Sequence, residues 1–247
     1  MNYRLEGDGP LLISLPGLDG TSNLFYKQTP RLALRYRVAL IRLPEQGNFT
    51  YKDIAGDVAA IIRELGQRRA IVLGESFGGT VALWFALLYP DLVDRLVIIN
   101  SFPRFRKRIL LWMGLTLAHN APRGFLWMVR STGNTIGLLL DGVGREDRRR
   151  FREAVRPVRQ EGYTRRLELI RDLDIWDRLS EIGAPALLIA GSRDLLVPAS
   201  REALKMAARM PNATVRIVRG AGHACLLGEK VSIADLLEEW VEKASDE

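Results

Sequence analysis

With 247 residues, 47% of them hydrophobic, the chain is long enough to bury the full core of one large globular α/β domain. Its single cysteine, Cys225, excludes an intrachain disulfide and suits a reducing compartment, so the expected location is cytoplasmic. The net charge of +7 is unevenly placed: Ser101–Ser180 carries 17 Arg+Lys against 9 Asp+Glu, and the remainder 19 against 20. Such asymmetry speaks to partners rather than to fold.

The N-terminus, MNYRLEGDGP, has no basic run before a long apolar core and does not read as a secretory signal. The longest near-continuous apolar stretch, Ile109–Ala118, is about half of what a membrane span needs. Leu11–Leu15 predicts a strand that ends in Pro16-Gly17-Leu18-Asp19-Gly20-Thr21. Val38–Leu43 predicts a second, closed by Pro44 and Gly47. Asp53–Leu65 has apolar residues at helical spacing, with Gly66 as a stop. Ile71-Val72-Leu73 is the next strand, and a helical pattern follows Gly79 as far as Leu88. The Leu96–Ile99 strand comes after a Tyr89-Pro90 break. These strands are continuous Val/Ile/Leu runs alternating with helices, which predicts a mostly parallel sheet covered on both faces.

From Ser101 to about Gly183 the strand rhythm disappears, and helical patterns rich in Arg, Trp, Met and Leu replace it. It returns at Ala186–Ala190, followed by a Ser200–Met210 helix, a Thr214–Val218 strand and a Val231–Val241 helix. The expected organisation is an α/β core of residues 1–100 and 184–247, interrupted by a helical insertion at 101–183.

Between the Ile71 strand and its helix lies Gly74-Glu75-Ser76-Phe77-Gly78, a G-x-S-x-G match in the strand-to-helix context that this motif requires. A turn this sharp strains Ser76, lifts its hydroxyl out of the sheet, and leaves no room for side chains at 74 and 78. A serine hydroxyl needs a base. Of the two histidines, His223 follows the Thr214 strand in Gly220-Ala221-Gly222-His223, where strand-end loops deliver residues to a site. His119 lies inside the insertion and reads as a surface or packing residue. The base in turn needs a carboxylate, and Asp194 ends the Ala186 strand, giving the order Ser76…Asp194…His223. An oxyanion requires two fixed backbone N–H groups; Phe77 and Leu18 are the candidates. Glu75, beside the nucleophile, is assigned a packing or supporting role.

On these residues the chain resembles the α/β-hydrolase superfamily over essentially its whole length. LPGLDGT paired with GESFGG is similar to the esterase, lipase and thioesterase branch that includes phytyl ester synthases. The resemblance implies ester or thioester hydrolysis without metal or cofactor, and the chain is read as a serine carboxylesterase acting on apolar acyl esters. Two features depart from the usual pattern: Pro16-Gly17 stands where a His-Gly dipeptide is common, and the N-terminal strands are truncated. Ser76 excludes haloalkane dehalogenases, which need an aspartate there.

In that superfamily an insertion at this point folds as a helical cap, or lid. Its apolar residues, among them Trp112, Met113, Trp127 and Met128, predict an acyl-chain pocket. Arg145, Arg149, Arg152, Arg156 and Arg159 recur at three- and four-residue steps, which predicts one cationic helix face. An acidic acyl carrier, a coenzyme A ester or an anionic lipid surface would fit it, as would plain solvation. Pimeloyl-carrier methyl esterases use basic cap residues in a way that is similar in kind. Nucleic acid is not expected, because no aromatic–basic groove pattern accompanies the charge. Two rivals share the triad: an acyltransferase or thioesterase, and a ligand receptor with an idle triad.

Overall fold

The computed structural model describes residues 1–105, 108–120, 140–229 and 231–245. The Leu/Ile/Val runs form a seven-stranded sheet: β1 (Asn2–Glu6), β2 (Leu11–Leu15), β3 (Arg37–Arg42), β4 (Ala70–Glu75), β5 (Val93–Ile99), β6 (Ala186–Gly191) and β7 (Ala213–Val218). The spatial order is β1-β3-β2-β4-β5-β6-β7. Only β1 is antiparallel, against β3, and the remaining pairs are parallel.

Helices cover both faces: α1 (Thr29–Leu32), α2 (Tyr51–Glu64), α3 (Phe77–Leu88), α4 (Arg108–Asn120), α5 (Arg145–Val155), α6 (Gln160–Asp172), α7 (Ala199–Ala207) and α8 (Ile233–Ser245). The reason for the unbroken apolar strands is visible in β5. Leu96 and Ile98 enter the core beneath α2, α3 and α7, while Val97 and Ile99 enter the core beneath α1 and α8. Successive side chains point to opposite faces, and both faces are dry.

The predicted elements are present, with shifted ends. Helix α2 starts at Tyr51 because Thr50 and Asp53 form a reciprocal cap: the Asp53 N–H donates to Thr50 Oγ1, and the Thr50 N–H donates to Asp53 Oδ2. Helix α3 starts at Phe77, immediately after Ser76, rather than beyond Gly79. One strand, β1, precedes β2. Its two apolar residues, Tyr3 and Leu5, alternate with polar ones on an edge strand, a pattern too short to stand out.

Helices α4, α5 and α6 lie between β5 and β6 in sequence. Leu111 and Leu115 of α4 and Leu167, Leu169 and Ile170 of α6 belong to the same buried cluster as the sheet. A smaller cluster joins Phe151, Val155 and Val158 to Ala224 and Leu227, just past β7. The expected single cationic helix is corrected. Helix α5 ends at Val155, Arg156 is its C-cap and Arg159 is the N-cap of α6. Pro157 has no N–H to continue the ladder, so the arginine face breaks there. Among the described residues no helix is long and apolar enough to cross a membrane.

Candidate active site

Strand pairing brings the chemistry to one end of the sheet. Leu15 of β2 pairs with Gly74 of β4, so the chain leaving β2 runs beside the turn leaving β4. Ser76 occupies that turn at φ 52°, ψ −114°, a conformation strained for a residue with a side chain. A Cβ on Gly74 would lie 2.2 Å from the Gly78 carbonyl oxygen, and one on Gly78 would lie 2.1 Å from that of Leu15. The two glycines are therefore required by contact, the first with the start of α3 and the second with the end of β2.

Ser76, Asp194 and His223 meet. The Ser76 hydroxyl lies 3.0 Å from His223 Nε2, and His223 Nδ1 lies 2.7 Å from Asp194 Oδ2. All three are at most 9% exposed. The second carboxylate oxygen of Asp194 accepts the Leu196 and Val197 N–H groups at 3.0 and 2.9 Å, so the acid cannot rotate away from the ring. Burial pushes the His223 pKa down, but the charge and hydrogen bond of Asp194, with the charge of Glu75, outweigh it and leave the ring more basic than usual. Nδ1–H held by a carboxylate and Nε2 facing a hydroxyl is the tautomer that can take a serine proton.

Phe77 is the first residue of α3, so its N–H belongs to the first-turn donors that no carbonyl of the helix can satisfy. Around Leu18 the loop is pinned peptide by peptide. Gly17 N–H donates to the Glu75 carboxylate, and the Gly17 carbonyl accepts Gly20 N–H at 3.0 Å. The Leu18 carbonyl accepts Arg166 Nε–H at 3.0 Å, and Asp19 Oδ2 accepts the N–H and hydroxyl of Thr21. The Gly17–Leu18 peptide, which carries the Leu18 N–H, is thus fixed at its carbonyl end.

Two supporting residues are absent from the reading of the sequence. Asn100, at φ 46° directly after β5, donates to the Gly222 and His223 carbonyls at 3.1 and 2.6 Å and accepts Gly191 N–H at 2.7 Å. It ties the histidine loop to the end of β6. An asparagine at the C-terminal end of a buried strand is a visible signal, since Asn tolerates positive φ and offers both donor and acceptor. Arg166 of α6 is fully buried and also donates to the Pro44 carbonyl at 2.9 Å. It falls within an arginine-rich run, and nothing in the sequence separates it from its exposed neighbours.

His119 stays apart from the triad, bonded to the Leu115 carbonyl at 2.9 Å and to Glu168 at 3.1 Å. A cavity of about 650 Å³ beside it is lined by residues of α4, α6 and the 47–48 loop, and by none of the triad. Trp112 and Met113 are 67% and 57% exposed, unlike the buried Leu111 and Leu115 of the same helix. Trp127 and Met128 lie outside the described residues.

The family model for the alpha/beta hydrolase fold matches residues 10–229. The chain belongs to this family. A pimeloyl-[acyl-carrier protein] methyl ester esterase of Xanthomonas campestris pv. campestris is 31% identical, covering 98% of both chains. A protein provisionally named carbamate hydrolase RutD, from Stutzerimonas stutzeri, is 28% identical over 96% of this chain and 93% of its own. Among solved structures, a hydrolase from Pseudomonas aeruginosa superimposes with a TM-score of 0.82 at 25% identity, covering 98% of this chain and 92% of that one. These three are named as an esterase of a carrier-linked ester and as hydrolases.

Proposed function

We propose that this α/β hydrolase is a serine carboxylesterase acting on esters of apolar acyl groups. One observation carries the reading: the His223 ring sits between Asp194 and Ser76, 2.7 Å from one and 3.0 Å from the other. Ser76 Oγ adds to the ester carbonyl carbon as its proton passes to His223 Nε2. The negative charge that forms on the carbonyl oxygen is held by the Leu18 and Phe77 amides. The C–O bond to the alcohol then breaks, and the alcohol leaves with the proton from His223. Water gives a proton to the same nitrogen, adds to the acyl carbon and displaces Ser76, which recovers its hydrogen. Asp194 holds the tautomer throughout. No metal or cofactor takes part in this scheme, and the cytoplasm is its setting.

In this reading residues 101–183 act as a lid, and Trp112, Met113, Trp127 and Met128 contact the acyl chain. Fluorophosphonate should label Ser76, and p-nitrophenyl esters from acetate to palmitate should give a chain-length optimum. Failure to label would reject the esterase and favour a receptor with an idle triad.

A second reading, a carrier-linked or coenzyme A-linked acyl substrate, draws on the carrier-ester relative and on the exposed Arg145, Arg152 and Arg156. These have no ion pair among the described residues. If charge attraction brings such a substrate, 0.5 M salt should raise KM for it while leaving p-nitrophenyl ester turnover unchanged. Equal behaviour of the two substrates would remove the carrier.

A further inference from the structure

A buried carboxylate stands directly before the nucleophile and takes no part in the scheme above. Glu75 closes β4 and is 7% exposed. Its Oε2 lies so close beneath the oxyanion loop that a Cβ on Gly17 would come within 2.5 Å of it. The Gly17 N–H donates to it. The ionisable groups facing it are Asp19 from that loop, Asp194 from the loop after β6, and His223 and Cys225 from the segment after β7. Among these only the His223 ring can become positive. The Arg166 guanidinium packs on Gly20 of the same loop and donates to the Leu18 carbonyl.

We infer that Glu75 is a positioning residue of this site: its carboxylate anchors the oxyanion loop through Gly17 N–H and is a second anion, beside Asp194, that stabilises the His223 imidazolium. Its consequence for turnover rests on the esterase reading; its effect on the His223 ring does not.

Burial pushes the Glu75 carboxyl up to about 7; the charges of Asp19 and Asp194 add to this, and His223 and the Gly17 N–H oppose it. The Glu75 charge helps hold the His223 ring above its ordinary value, and His223 in turn holds the Glu75 carboxyl down, so each charge favours the other. When the ring takes the serine proton, an anionic Glu75 offsets the cost of a buried cation. A glutamine could accept the Gly17 N–H equally well and would have the same shape. Only the charge requires glutamate.

That difference supplies the test. The chain has two histidines, so ring resonances of histidine-labelled protein can be assigned with a His119→Gln variant. In Glu75→Gln the His223 pKa should fall by about one unit. The acid limb of kcat/KM should move down with it, and kcat should fall on the order of 10-fold. An unchanged His223 titration, with or without a slower reaction, would leave only loop support and overturn the inference. Should unaltered protein resist fluorophosphonate, the esterase reading fails while the NMR titration still reports on Glu75. If Glu75→Gln does not fold, carboxyl-labelled glutamate in the unaltered chain decides. One carboxyl should titrate near neutrality with a matching inflection on His223, and the absence of any glutamate titrating above about pH 6 would sink the proposal.

Discussion

The sheet and the inserted segment treat charge in opposite ways. At the strand ends the polar side chains that build the site are buried, and Asp194 and Asn100 are each held by more than one bond. Among the described residues of the insertion, several arginines at the surface pair with a neighbour one to four residues away: Arg149 with Glu146, Arg171 with Asp172, Arg178 with Glu181. The density of charge therefore marks the wrong region for chemistry. Burial marks the right one, and Arg166 is the exception that crosses over, reaching from α6 to the oxyanion loop.

The contrast can be broken most forcefully at the nucleophile. Ser76→Ala should lower kcat on a p-nitrophenyl ester by on the order of 10³-fold or more with the fold intact; near-full activity would reject the triad. Next is Asn100→Ala. It leaves the Gly222 and His223 carbonyls and the Gly191 N–H without their partner in a dry place. A loss of about 2–4 kcal/mol in denaturant-measured stability is expected, with a drop in kcat larger than any change in KM. Equal stability would mean that the histidine loop is held by other contacts. Arg166→Met keeps the length of the side chain but removes the donors to Leu18 and Pro44, at a cost of about 2–4 kcal/mol.

Why the core was legible and the insertion was not follows from the same contrast. Parallel strands buried on both faces must be runs like Leu96–Ile99, and no surface segment needs such a run. The turn at Ser76 admits only glycine at 74 and 78 for steric reasons, so the motif is written in the sequence by contact distance. The position of Asp194 and His223 follows from strand order, because parallel strands deliver their following loops to one end. Arg166 has no such signature: its role depends on which face of α6 meets the Pro44 loop, where a Cβ on Gly162 would lie 2.7 Å from the Glu45 backbone. The arginine periodicity misled for a related reason. The three- and four-residue steps run on across Pro157, and spacing alone cannot tell one helix from two.

A smaller effect sharpens the account of Glu75. Its carboxyl is raised from an ordinary 4.5 to about 7, so the folded chain holds a proton that the unfolded chain releases between those values. Folding stability from this group therefore falls as pH rises from 4.5 through 7, and the full penalty is present above. Glu75→Gln should be more stable than the parent at pH 8, by roughly 1–3 kcal/mol, and indistinguishable at pH 4.5. Denaturation curves at the two values check the sign. A variant that gains stability at pH 8 while losing turnover would mark Glu75 as a residue kept for the site rather than for the fold.

The smallest expected effect completes the comparison. Arg149 is exposed and holds two ion pairs, with Glu146 at 2.8 Å and Glu153 at 4.0 Å. Water screens both, and ordering three long side chains offsets much of the attraction. Arg149→Gln should leave Tm within about 2 °C of the parent and leave p-nitrophenyl ester turnover unchanged, in contrast to Arg166→Met in the neighbouring helix. Had the insertion been stabilised by its arginines as a network, the two substitutions would cost alike. A thermal scan of both variants, in low salt and in 0.5 M salt, separates a surface that is merely solvated from one that holds the insertion in place.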